Sequence, residues 1–176
     1  MFLKQFVNEG LGNSSYLLGS TKTGEAVVID PQRDVDTYLE EAQRAGLKIE
    51  YALETHLHAD FVSGSRELAA ATGATIGASA QAHLQFPHRP LKEGDHLELG
   101  EITLEVVETP GHSPEHISFL VREAGKKKPT ALFSGGALIV GGIARTDLLG
   151  HEHAVPLARQ AYHTVQDKLL KLSDEV

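Results

Sequence analysis

The apolar run Ile49–Leu53 leads through Glu54 into Thr55-His56-Leu57-His58-Ala59-Asp60. Side chains of an extended backbone repeat every two residues, so His56, His58 and Asp60 project to one side as the chain leaves a strand. On a helix the same spacing would fan them around the axis. Imidazole and carboxylate together suit zinc or iron. The triplet therefore asks for a strand that ends at a metal centre. The competing reading is a polar turn in which three side chains happen to alternate.

Composition narrows the chemistry. The 176 residues make one domain, 1–176, with enough chain to bury a substantial core. The net charge of −8 leaves no basic field for nucleic acid or anionic membrane. No apolar run approaches a bilayer span, and the N-terminus lacks a basic segment followed by a long apolar one, so a cytoplasmic protein is expected. The absence of cysteine removes disulfides, thiolate ligands and a cysteine nucleophile together. Any metal must be held by nitrogen and oxygen, and any sulfur substrate must arrive as a small molecule or on another protein.

Patterning predicts strands at Phe2–Val7, Ser15–Leu18 and Glu25–Ile29, separated by glycine- and asparagine-containing turns. A helix capped by Asp34 follows, with Val35, Leu39, Ala42 and Ala45 on one face, and stops at Gly46. After the strand Ile49–Leu53 and the histidine motif, a second helix runs from about Ser63 to Thr72, and Ala74–Ile76 reads as a short strand. Further strands fit His96–Leu99, Ile102–Val107, His116–Val121 and Thr130–Phe133. The lysine run 126–128 lies in a solvated hairpin loop. A last helix spans roughly Glu152–Leu172, with Val155, Ala158, Tyr162, Val165, Leu169 and Leu172 on its apolar face.

A second ligand-bearing segment is Thr109-Pro110-Gly111-His112-Ser113-Pro114-Glu115-His116. Pro110 and Gly111 fix a turn that presents His112, the expected ligand. His116 lies in the next strand and is either a ligand or structural. Asp30, before Pro31 at a strand end, is either part of the site or a turn residue accepting backbone hydrogen bonds.

Together Asp30-Pro31, Thr55-His56-Leu57-His58-Ala59-Asp60, Thr109-Pro110-Gly111-His112 and Ala144-Arg145-Thr146-Asp147-Leu148 resemble, in order, the motifs of the metallo-β-lactamase superfamily. Within it, Leu53-Glu54-Thr55-His56, Ala59–Gly64 and Arg145-Thr146-Asp147 are most similar to the glyoxalase II-like branch that contains persulfide dioxygenases and their rhodanese-associated relatives. The fold implied is α/β, a four-layer αββα sandwich with its site where the sheets meet. The resemblance implies one divalent metal, iron(II) before zinc(II), with His56 and His112 as ligands. It places His58 and Asp60 behind the ligands as catalytic groups that orient them or carry a proton, and Arg145 near the glutathione part of the substrate. The implied substrate is a thiol persulfide or a thioester derived from glutathione; a rhodanese and a second copy of the chain are the candidate protein partners.

Three departures from the family pattern bear on this. Phe61 stands where a histidine usually follows the motif aspartate, which favours one metal over two. Gly136 stands where the family carries its metal-binding aspartate, so His58 or Asp60 is expected to enter the coordination sphere instead. The sequence also ends at Val176, before the last strand and turn common in such domains, as a C-terminally truncated domain would. Three functions follow as expectations: an iron-dependent persulfide dioxygenase, a zinc-dependent thioester hydrolase, and a metal-poor, non-catalytic homologue. Restoring the carboxylate with Gly136→Asp is expected to tighten metal binding.

Overall fold

The computed structural model describes residues 1–176 as two β-sheets faced by helices. The first sheet has six strands in sequential order: β1 (Phe2–Asn8), β2 (Asn13–Gly19), β3 (Glu25–Ile29), β4 (Lys48–Leu53), β5 (Thr75–Ser79) and β6 (Arg89–Leu91). Strands β1 to β3 are antiparallel neighbours, whereas β3 to β6 run parallel. The parallel connections β3-α1-β4 and β4-α2-β5 use α1 (Asp36–Ala45) and α2 (Ser65–Thr72). The second sheet is antiparallel, in the order β10 (Ala131–Phe133), β9 (Ile117–Glu123), β8 (Ile102–Glu108), β7 (His96–Leu99). Helix α3 (His151–His163) continues through a π-helical stretch, Thr164–Lys168, and a 3-10 turn, Leu169–Lys171.

Alternation along the strands builds two cores. On β3, Val27 and Ile29 face the second sheet, where they meet Leu104, Val106, Phe119 and Phe133. Ala26 and Val28 face the other way, onto Tyr38 and Ala42 of α1 and Leu68 of α2. Because β3 is covered on both faces beyond Glu25, Ala26–Ile29 is continuously apolar. The α3 segment supplies the fourth layer. It is tied to the end of β8 by Thr164 Oγ1, which donates to Pro110 C=O at 2.8 Å, and by Lys168 Nζ, which donates to Glu108 C=O at 2.7 Å. The αββα architecture expected from the sequence is the one observed. No helix is long and apolar enough to cross a membrane.

Several local expectations differ. Asp34 does not cap α1: Val35 takes that position, and Asp34 accepts the Asp36 N–H. Helix α2 begins at Ser65 because Ser63 is committed to Glu54 and Gly64 N–H to Pro31 C=O. Strand β6 was hidden by Pro87 and Pro90, residues that suit only a sheet edge. In α3 the buried residues are Leu157, Ala161 and, just beyond, Thr164, while Val155 and Tyr162 face solvent. The π-helical stretch adds a residue to the turn, so the apolar period read across 152–172 does not hold as one straight helix.

Candidate metal centre

The parallel pairing of β3 with β4 sets Ile29 opposite Leu53, so Asp30 and Glu54 leave the sheet side by side at the carboxyl ends of their strands. Ligands of open α/β sheets bind at such ends. Asp30 is buried and has φ 51°, a left-handed conformation that aspartate tolerates better than most side chains. Its Oδ1 accepts Thr55 N–H at 2.7 Å and its Oδ2 accepts the Thr55 hydroxyl at 2.8 Å. The hydroxyl proton being spent on Asp30, Thr55 Oγ1 accepts from His56 Nδ1, 2.8 Å away. This chain fixes the His56 tautomer and leaves the Nε2 lone pair free.

His112 is set up in the same way from the other sheet. It sits on the loop between β8 and β9, where Gly111 lies against α3 so closely that a Cβ there would come within 2.5 Å of Ala161 Cβ. His112 Nδ1 donates to Arg145 C=O at 2.8 Å, again leaving Nε2 with no protein partner. The His56 and His112 rings are 4.8 Å apart, edge to face. Two imidazoles with Nδ1 hydrogen-bonded and Nε2 unsatisfied could supply two of the three or more ligands that a divalent metal needs. The structure thus brings His56 and His112 together with neither Nε2 paired within the protein.

His58 is held differently. Its Nε2 lies 3.2 Å from Asp30 Oδ1 and 3.2 Å from Glu54 Oε2, in a buried ion-pair cluster. Burial disfavours the imidazolium, but Asp30 and then Glu54 outweigh it and push the His58 pKa up to about 10. Asp30 is pulled the other way: burial raises it, and the His58 charge more than reverses that, leaving it below the usual carboxylate value. Glu54 Oε1 accepts the hydroxyls of Ser63 and Ser65, while Oε2 has no regular hydrogen bond and is balanced by His58. The three donor atoms lie within 4.8 Å of one another, near enough for a metal. The His58 charge already satisfies both carboxylates, and a metal would have to displace its proton. The His58 ring packs on His56 at 4.2 Å and on Phe61 at 4.3 Å.

His116 belongs to the frame. Its Nδ1 pairs with Thr109 Oγ1 at 2.8 Å and its Nε2 accepts Gly136 N–H at 3.0 Å. Burial, reinforced by the charge His56 would carry, pushes its pKa down to about 3, so it stays neutral and accepts. Asp60 is exposed and forms no hydrogen bond within the protein. It lines, with His56, His58, Phe61, His112 and Arg145, a cavity of about 850 Å³. Leu138, Ile139 and Val140 form an exposed apolar flap over one side. The Arg145 guanidinium faces Asp147 in a two-point pair, Nε to Oδ1 at 2.7 Å and Nη2 to Oδ2 at 3.0 Å. Sequence reasoning missed Thr55 and Glu54 as site residues; both lie just before His56 in the sequence, and a hydroxyl beside a candidate ligand was the available signal.

Residues 8–175 match the metallo-beta-lactamase superfamily. The chain belongs to that superfamily. Among metallo-β-lactamase relatives, it is 32% identical over 98% of its length to the mitochondrial persulfide dioxygenase ETHE1 of Bos taurus, of which it spans 64%. It is 37% identical over 76% of its length to a hydroxyacylglutathione hydrolase of Rhodospirillum rubrum, of which it spans 50%. A metallo-beta-lactamase from Staphylococcus aureus superimposes with a TM-score of 0.94 at 40% identity, covering 99% of this chain and 54% of that one. ETHE1 from Myxococcus xanthus superimposes with 0.87 at 31% identity, covering 99% and 72%. The chain therefore spans about half to two thirds of the curated relatives it matches.

Gly136 is buried on a 3-10 turn after β10, beneath His112. A Cβ there would stand 2.6 Å from His112 Cδ2, 2.9 Å from its Cγ and 3.2 Å from Ala144 Cβ. An aspartate cannot enter without displacing the His112 ring, which Arg145 C=O holds. The expectation for Gly136→Asp therefore changes sign. The variant should lose about 1–3 kcal/mol of stability from overpacking and bind metal more weakly than the parent. Thermal unfolding and metal content measured beside Gly136→Ala check this, because alanine imposes the clash without the carboxylate; tighter binding by Gly136→Asp would show that the turn rearranges freely.

Proposed function

We propose that this protein is a mononuclear, iron-dependent persulfide dioxygenase that converts glutathione persulfide, dioxygen and water to sulfite and glutathione. Phe61 is the observation that carries the reading. It follows Asp60 directly, its ring lies against His58, and a phenyl group offers no donor, so the motif equips the site for one metal. Similarity to the persulfide dioxygenases over nearly the whole chain supports the same choice. Bound iron(II) supplies dioxygen activation and a place for the substrate sulfur. In this reading His56 and His112 hold the metal, and Asp60, exposed and unpaired on the cavity wall, replaces the carboxylate that Gly136 lacks. His58, fixed by Asp30 and Glu54, keeps a proton beside His56. The Arg145–Asp147 pair is solvent-exposed, so water screens it and the guanidinium is free to exchange Asp147 for a carboxylate of the glutathione moiety. Because the chain has no cysteine, the persulfide arrives from outside it, and a rhodanese is a fitting source.

Anaerobically iron-loaded protein should consume oxygen when glutathione persulfide is added and release one sulfite per dioxygen, read with an oxygen electrode and sulfite analysis. No uptake would remove the oxygenase reading. The identity to hydroxyacylglutathione hydrolases favours one alternative, hydrolysis of a glutathione thioester, for which His56 and His112 would hold zinc(II) and the ion would supply a water of lowered pKa. Thioester cleavage by zinc-loaded protein, with no oxygen uptake by the iron form, would decide for it.

A further inference from the structure

We propose that Glu115 is a positioning residue that locks the two ligand-bearing loops together and thereby sets metal affinity; the inference rests on His56 and His112 being the ligands. The loops leave different sheets, the first after β4 and the second between β8 and β9. Glu115 is buried with 7% of its surface exposed. Its Oε1 accepts Leu57 N–H, between His56 and His58, at 2.9 Å, and the hydroxyl of Ser113, next to His112, at 2.8 Å. One oxygen atom thus bridges the backbone of one ligand loop and the residue beside the other ligand.

No lysine, arginine or histidine pairs with this carboxylate. Burying a charge on hydrogen bonds alone is unfavourable unless the donors are well placed, and both donors here belong to the metal centre. The sheets are also joined nearby by Ile117 N–H donating to Thr55 C=O at 2.8 Å. That contact ties the sheets without Glu115, and what the carboxylate adds is the mutual placement of the two imidazoles. Ligand-orienting groups of this kind typically change metal affinity about 10- to 100-fold.

Cobalt(II) titration of the full chain, followed by visible absorption, tests the role without reference to turnover. Glu115→Ala should bind cobalt about 10- to 100-fold more weakly and give an altered ligand-field spectrum. Glu115→Gln keeps an acceptor oxygen for both donors and should restore affinity and spectrum close to those of the parent. Melting curves in chelator separate a purely structural role, which would lower the melting temperature and leave the spectrum unchanged. Unchanged binding and spectrum in Glu115→Ala would overturn the proposal, as would equal losses in Glu115→Gln. If Glu115→Ala does not fold, Ser113→Ala removes one donor and should shift the spectrum in the same direction; an unshifted spectrum there overturns the proposal too. Loss of the oxygenase reading would leave these outcomes standing, because none of them uses persulfide.

Discussion

Asp30→Ala is expected to cost the metal-free protein about 3–5 kcal/mol of folding free energy, the usual cost of breaking a buried ion pair from one side. The variant strands the His58 charge and leaves Thr55 N–H and the Thr55 hydroxyl without their acceptor. Glu54 remains but accepts no regular hydrogen bond from His58. Urea unfolding in chelator measures the loss, and a change below about 1 kcal/mol, the size of an ordinary single hydrogen bond, would mean that Asp30 is not the keystone of this network. The pH dependence carries the same signature. His58, raised from 6.5 to about 10, contributes stability that is complete below 6.5 and is lost as pH rises through 10. His56 and His116 are neutral in the fold, lowered from 6.5 to about 4 and about 3, chiefly by burial. Their contribution is present above 6.5 and is lost as pH falls through those values. Asp30, lowered from 3.8, adds to the loss in acid. Stability of the metal-free protein should therefore peak near pH 6.5, and Asp30→Ala should flatten the alkaline side of the peak.

Removing either free imidazole should have the largest effect on metal content. His56→Ala and His112→Ala are each expected to weaken metal binding by more than about 100-fold, since groups that merely orient ligands are worth about 10- to 100-fold. Elemental analysis after dialysis against a buffered metal concentration gives the occupancy. His116→Asn is the matched control. It removes an imidazole that already spends both nitrogens on Thr109 and Gly136, so it should lower stability more than it lowers affinity for metal. Retained metal in His112→Ala would shift the centre to the Asp30, Glu54 and His58 cluster. The two histidine variants also separate that cluster from the predicted site directly, because neither touches its carboxylates.

The order of strands and helices was legible because alternation and glycine punctuation are local, and His56 and His112 were legible because their neighbours in sequence present them. What the sequence could not convey is who holds them. Thr55 meets Asp30 across 25 positions, a contact that exists only through the parallel register of β3 and β4. His112 is anchored by a backbone carbonyl 33 residues away, to which no side-chain pattern points. The ion-pair cluster around His58 depends on two strands ending at one level. The clash that reverses the expectation for Gly136→Asp is a Cβ 2.6 Å from His112 Cδ2, a closeness between a turn and a ring that only the folded chain shows. The family resemblance implied that a carboxylate was missing, and only packing told that there is no room to put it back.

His56 reaches the centre from the six-stranded sheet and His112 from the four-stranded one, so an ion shared by them would join the two halves of the sandwich across their seam. Its binding free energy then opposes the separation of the sheets: at a free concentration one hundred times its dissociation constant, an ion bound only by the native state adds about 2.7 kcal/mol. Metal supply in the cell would then govern the lifetime of the folded chain as well as its chemistry. Scarcity would remove protein through unfolding and proteolysis as surely as it would silence the site.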